Sequence, residues 1–194
     1  MNSMYLALGY NCNHNCFFCP CVGKDDMVKE ADLEQIIFAI DSGINDKNIK
    51  YITLSGGEPT LHKNFHQILE YCVSKKINTT ILSNGDTLHK VENIHKYFDG
   101  INTEYFSVTT AIHSINTEVH DKVTGRNGSH YRTVSGLKNL IPMHISFTVK
   151  QVISKWNYKE LPEFINFIFS EYGSFASITL CGMDFCGMNE DKID

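Results

Sequence analysis

Nowhere in the 194 residues do about 18 apolar residues run together, so no membrane span is expected. The opening MNSMYLALGYNC has no basic segment ahead of a long apolar stretch. A secretion signal is therefore not expected, and the cytoplasm is the default compartment. Charge of one sign is never concentrated: 17 Lys and Arg against 22 Asp and Glu give a formal net charge of −5, scattered along the chain. That pattern offers neither a nucleic-acid groove nor a patch for a membrane surface. Linkers, internal repeats and low-complexity segments are also missing, and the length suits one substantial domain over residues 1–194 better than two.

Cysteine is not scarce. There are seven, an odd count, and four crowd into "CNHNCFFCPC", Cys12 to Cys21. Cys72, Cys181 and Cys186 sit apart in apolar or strand-like segments. Disulfide scaffolds spread their cysteines, whereas a tight cluster in a reducing compartment points to metal binding or catalysis.

Periodicity supplies the frame. Short apolar or β-branched runs at Met4–Leu8, Tyr51–Ser55, Thr79–Leu82, Tyr105–Thr110, His144–Val152 and Ser177–Leu180 read as strands. Between them, helical spacing is expected over Ala31–Ile40 with a stop at Gly43, and over Asn64–Lys75, Thr87–Tyr97, Tyr131–Leu140 and Tyr158–Glu171. The alternation implies an α/β fold with a parallel sheet. Six units in this length fit an open, partial barrel or a doubly wound sheet better than a closed eight-unit barrel. Both architectures put the active site at the carboxyl ends of the strands, where the cysteine loop, Gly56-Gly57-Glu58-Pro59 and Ser83-Asn84-Gly85 all fall.

Cys12, Cys16 and Cys19 have the spacing C-x3-C-x2-C. Three thiolates can ligate three irons of a [4Fe-4S] cluster and leave the fourth open, whereas electron-transfer clusters usually take four cysteines. A structural zinc with Cys21 or His14 as fourth ligand is the alternative from this loop alone. In Ser55-Gly56-Gly57-Glu58-Pro59-Thr60 the glycines permit close backbone approach to a ligand, and the carboxylate can accept charge-assisted hydrogen bonds from an ammonium.

Together the two motifs resemble the radical S-adenosylmethionine (SAM) superfamily, whose hallmark is C-x3-C-x-aromatic-C, with Phe18 in the aromatic place, followed by GGEP. The resemblance implies a partial (β/α)6 barrel, a [4Fe-4S] cluster on Cys12, Cys16 and Cys19, and SAM chelated to the open iron. One electron then splits SAM to a 5′-deoxyadenosyl radical that removes hydrogen from substrate. It further implies that Glu58, with Gly56 and Gly57, binds the methionyl amine and that backbone near Phe18 meets the adenine. Asn84 would lie near the ribose or carboxylate, Thr109 near the ribose, and Arg126 near the SAM carboxylate. The stretch from His113 to Leu140 is similar to the HD…G…GS…G-x-x-x-L pattern of the peptide-modifying branch. "KWNYKELPEFINFI" with "ITLCGMDFCGMNED" is similar to the His-Xaa-Ser system maturases. A peptide substrate, a reductant such as flavodoxin or ferredoxin and a partner maturase are the implied partners. A small-molecule or nucleotide substrate, glycyl-radical activation and a non-catalytic zinc or cluster module are the alternatives.

Other residues invite simpler explanations. Cys21 is expected to be a packed thiol. Cys181 and Cys186 are too few for an auxiliary cluster, although an inward Cys181 could give hydrogen to a substrate radical. His62 and His66 have i, i+4 spacing but lack the adjacent Glu of a zinc hydrolase, so a solvated helix start is expected. His113, His120 and Asp121 follow the fourth strand and could face substrate, although histidines in loops are commonly surface residues, and Asp184 binds substrate or caps a turn.

Overall fold

The alternating runs form six parallel strands in the order β1-β2-β3-β4-β5-β6, each beside its sequence neighbour. The structure is a computed structural model that describes residues 2–21 and 29–182. The strands are β1 (Ser3–Ala7), β2 (Tyr51–Ser55), β3 (Asn78–Leu82), β4 (Phe106–Ala111), β5 (Phe147–Ile153) and β6 (Ala176–Gly182). The helices are α1 (Leu33–Lys47), α2 (Phe65–Ser74), α3 (Val91–Phe98), α4 (Thr117–Thr124), α5 (Ser129–Leu140) and α6 (Leu161–Tyr172). Among the described residues β1 and β6 do not pair, so the sheet is an unclosed, partial (β/α) barrel in a single α/β domain. No helix of the described residues is long and apolar enough to cross a membrane.

One face of the sheet carries the core. Ile52, Leu54, Ile81, Val108, Phe147 and Val149 are buried there with Ile36 and Ile40 of α1, Leu69 of α2, Phe98 of α3, Leu137 of α5 and Phe164 of α6. Alternation sends Ser107, Thr109 and Ala111 of β4 to the other face, which the helices of the described residues leave uncovered.

Several boundaries differ from expectation for identifiable reasons. Helix α1 runs through Gly43 to Lys47 and ends on Asn48, whose φ of 48° is left-handed. A Cβ on Gly43 would stand 2.9 Å from Ile49 and 3.1 Å from Met4, so this glycine serves close helix–strand packing rather than a cap. The single helix expected over Thr87–Tyr97 is a 3-10 turn, Asp86–His89, followed by α3. Asn139 Nδ2 donates to the carbonyls of Leu88 and His89 and so occupies acceptors a continuous helix would use. Residues 141–143 turn before a left-handed His144, which delays β5 to Phe147.

Helix α4 stands where the sequence suggests a loop. Asn116 caps its start by accepting from the amides of Glu118 and Val119, and Gly125 ends it in the left-handed region. His120 is therefore a buried helical residue, and His113 is buried just after β4, correcting the surface-loop expectation for both. His62 is also buried, with Nε2 2.9 Å from the Ala31 carbonyl, and it precedes α2 rather than sharing a helix face with His66. The solvated reading of His62 fails because its ring joins the segment entering α1, at the Ala31 carbonyl, to the start of α2, where Nδ1 accepts from Asn64 N.

Candidate active site

The cysteine loop leaves β1 and is fastened at two places. Gly57 N donates to Gly9 O and Glu58 N to Asn11 O, both at 2.8 Å. On its other side Asn15 N and Phe17 N donate to the carbonyls of Thr124 (3.0 Å) and Val123 (2.9 Å). Those carbonyls end α4 and lack intrahelical partners, so the loop satisfies them. The two glycines of β2's end are explained by this contact. Gly56 has φ of 118°, and a Cβ there would lie 2.0 Å from Gly9 O; on Gly57 it would lie 2.2 Å from Asn11 O. The backbone they admit is the cysteine loop, whereas the sequence suggested a ligand.

Inside the loop, His14 N donates to Cys12 Sγ at 3.4 Å, Cys19 N to Cys16 O at 3.0 Å and Cys21 N to Cys19 Sγ at 3.4 Å. Burial pushes the Cys16 thiol up to about 12, and the neighbouring Cys19 and Cys12 add to the rise. Burial likewise raises Cys12, against the pull of the His14 amide. Thiols so disfavoured as free thiolates suit metal ligation better than nucleophilic attack, because a bound cation supplies the missing charge. Among the described residues no three His, Cys, Asp or Glu side chains converge as ligands of a single ion. Three cysteine thiols are the donor set that three irons of a cluster take, one each. The donor set fits a cluster of iron and sulfide.

Glu58 sits beside this loop and is buried. Its Oε1 accepts from Thr60 N (3.1 Å), Thr60 Oγ1 (2.6 Å) and Ser83 Oγ (2.8 Å), while among the described residues Oε2 accepts from Asn84 N alone (2.7 Å). A carboxylate has about four lone-pair sites, two on each oxygen, so Oε2 keeps acceptor capacity for one more donor. Burial raises the Glu58 pKa, opposed by those four donors, and an ammonium at Oε2 would hold it ionised. The Asn84 side chain reaches over the loop, with Nδ2 2.7 Å from Asn13 Oδ1 and 3.8 Å from Cys12 Sγ.

A buried charge network supports the floor. Asp86 Oδ2 accepts from His14 Nε2 and from Arg132 Nε, each at 2.9 Å, while Asp86 N donates to Asn84 Oδ1 at 2.9 Å. Burial opposes ionisation of Asp86, but His14 and Arg132 outweigh it and hold the carboxyl well below the usual range. Sequence reading missed this triad because its members are 46 or more positions apart. No local spacing marks such a contact.

The remaining expected residues are dispersed. Phe18 stacks edge-on against His113 with ring centroids 5.1 Å apart. Thr109 is half-buried on the uncovered face of β4. Arg126 is exposed in the turn between α4 and α5. Cys21 is half-buried, and Cys181 is half-buried with Sγ 3.5 Å from the Gln151 carbonyl. Asp184 and Cys186 lie outside the described residues.

Comparison with known proteins adds an independent line. Residues 6–168 match the profile of the radical SAM superfamily. The chain is 27% identical over 174 residues to a probable GTP 3′,8-cyclase of Methanocaldococcus jannaschii, covering 86% of this chain and 55% of that protein. It is 28% identical over 156 residues to the antilisterial bacteriocin subtilosin biosynthesis protein AlbA of Bacillus subtilis, covering 79% of this chain and 34% of AlbA. The chain thus spans about half of one relative and about a third of the other. In fold it is similar to Streptococcus suis SuiB bound to precursor peptide SuiA, with a TM-score of 0.80 at 15% identity over 97% of this chain and 42% of SuiB. With the three-cysteine loop and the GGEP strand end joined at the carboxyl edge of an unclosed parallel sheet, the chain belongs to the radical SAM superfamily, enzymes that use a [4Fe-4S] cluster and SAM.

Proposed function

We propose that residues 1–194 form a radical SAM core whose Cys12, Cys16 and Cys19 hold a [4Fe-4S] cluster with one open iron for SAM. The carrying observation is the junction of the cysteine loop with Glu58 and Asn84, where Asn84 Nδ2 lies 3.8 Å from Cys12 Sγ. When bound, the cluster supplies the electron that releases a 5′-deoxyadenosyl radical from SAM. The protein's part is placement and exclusion of water. Glu58 Oε2 accepts from the methionyl ammonium, while Gly56 and Gly57 keep the cysteine loop close enough for one molecule to touch both. Asn84 and Thr109 orient the ribose, backbone at Phe18 meets the adenine, and Arg126, next to the Gly125 that packs on Asn15, faces the SAM carboxylate.

The substrate proposed is a ribosomally made peptide. Similarity to AlbA and the likeness to peptide-bound SuiB support that reading, as does an open sheet face able to take an extended chain. Electrons would come from flavodoxin or ferredoxin, and a partner maturase could present the peptide. A nucleotide substrate is the second reading, favoured by similarity to GTP cyclases. The test is anaerobic reduction of the reconstituted protein with SAM, alone and co-expressed with candidate precursor peptides. 5′-Deoxyadenosine together with a mass change in a peptide supports the reading. 5′-Deoxyadenosine with modification of GTP and of no peptide would replace it.

A further inference from the structure

The uncovered face of the sheet is unusual for a barrel interior, which branched apolar side chains normally fill. Here register aligns Tyr5 with Thr53, Thr53 with Thr80 and Thr80 with Ser107, a row of hydroxyls across four strands. One level higher Thr148 Oγ1 and Ser177 Oγ share a hydrogen bond of 2.8 Å. Polar lining of this kind suits a substrate with many amide groups.

Lys150 is the one charged residue of the described strands on that face. It alternates with the buried Val149 and Gln151, is exposed, and stands in register with Ala111 and Thr179 on either side. Small neighbours leave its ammonium free to extend, and among the described residues it pairs with no carboxylate. An exposed cation is commonly just solvated, but here it is set above a concave row of hydroxyls at the strand ends that carry the site.

We propose that Lys150 anchors a carboxylate of the peptide substrate. This rests on the peptide reading above and names the chemistry that reading leaves open. The carboxylate of SAM itself is a poor match. SAM's amino and carboxylate groups share one carbon, and with the amine at Glu58 after β2 the carboxylate stays near β2. Lys150 on β5 is three strand spacings away, on the order of 14 Å along the sheet. The adenosyl part that would extend toward β4 and β5 carries no anion. A triphosphate is also a poor match, because such groups are usually gripped by several cations and the described strands offer one on this face.

The test uses the cluster-loaded, SAM-bound protein and two synthetic pools of random ten-residue peptides, one ending in a free carboxylate and one amidated. Retained peptides are read by mass spectrometry. About tenfold enrichment of Asp or Glu in both pools assigns a side-chain carboxylate; preferential retention of the free-acid pool over the amidated one assigns the terminus, and either counts as an acid preference. The preference should vanish in Lys150→Met and persist in Lys150→Arg, with iron content and SAM affinity unchanged. Enrichment that survives in Lys150→Met overturns the proposal, as does loss of SAM affinity in that variant or GTP binding that depends on Lys150. Peptides retained without acid preference sink the Lys150 assignment alone. If none is retained while SAM is still cleaved, the peptide reading falls with it.

Discussion

His14 Nε2 donates to Asp86 Oδ2 across 2.9 Å, tying the middle of the cysteine loop to the turn that follows β3. The carboxylate can only accept, so His14 carries a proton on Nε2. Both side chains are nearly inaccessible, at 2% and 6%, and Arg132 completes the network at 2.9 Å.

Asp86→Asn should therefore destabilise the protein well beyond an ordinary surface change. Removing one partner of a buried pair leaves the other charge uncompensated, a cost on the order of 3 kcal/mol. Urea unfolding of the cluster-free protein measures it. A loss under about 0.5 kcal/mol would mean that the network does not hold the loop.

Glu58→Gln separates cofactor binding from folding more cleanly than Glu58→Ala, which would orphan the donors of Thr60, Ser83 and Asn84. Losing a charge-assisted contact costs about 1.5–3 kcal/mol, or roughly tenfold to a hundredfold in affinity. Calorimetric titration with SAM should show that weakening while iron content stays at the wild-type level. Unchanged SAM affinity would remove Glu58 from the site.

Gly57→Ala tests the close approach itself. A methyl group would meet Asn11 O at 2.2 Å and Tyr10 O at 2.5 Å, backbone atoms that cannot rotate away. The variant should lose on the order of 3 kcal/mol of stability and most of its cluster loading. Iron analysis after reconstitution reads the outcome.

Acid should weaken the fold through its buried histidines. Burial, aided by the nearby charges of His14 and Lys150, holds His113 down to about 4. Burial, aided by His113 and His130, holds His120 down to about 2. Their unfolded values are near 6.5, so below that pH the unfolded chain binds more protons and stability falls with falling pH. Each histidine contributes up to about 1.4 kcal/mol per pH unit, fully present above about pH 6.5 and lost progressively below it. Unfolding of the cluster-free protein between about pH 7 and about pH 4.5 should show stability falling as pH falls, and His120→Gln should make that slope shallower. A flat profile would contradict neutral burial of the pair.

The strand-and-helix alternation was legible because β-branched runs and 3.6-residue spacing are local signals, and all six strands lie where those signals put them. The cysteine spacing and GGEP were legible for the same reason. What escaped depends on distant partners. Gly43 looks like a helix stop until Ile49 and Met4 are seen packed on it. α4 is short and polar, held by the Asn116 cap and by the cysteine loop that takes its last carbonyls. His62, His113 and His120 look like surface residues until their hydrogen bonds to Ala31 O and between His113 N and His120 Nδ1 are known.

The claim beneath all of this is a sulfur-held cluster with one iron left for SAM, and electron paramagnetic resonance of the reduced, reconstituted protein tests it most directly. The account predicts a [4Fe-4S] signal that SAM perturbs, that survives Cys21→Ala, and that disappears when Cys12, Cys16 and Cys19 are all replaced by Ala. A signal indifferent to SAM, or one that outlasts the triple replacement, would contradict it.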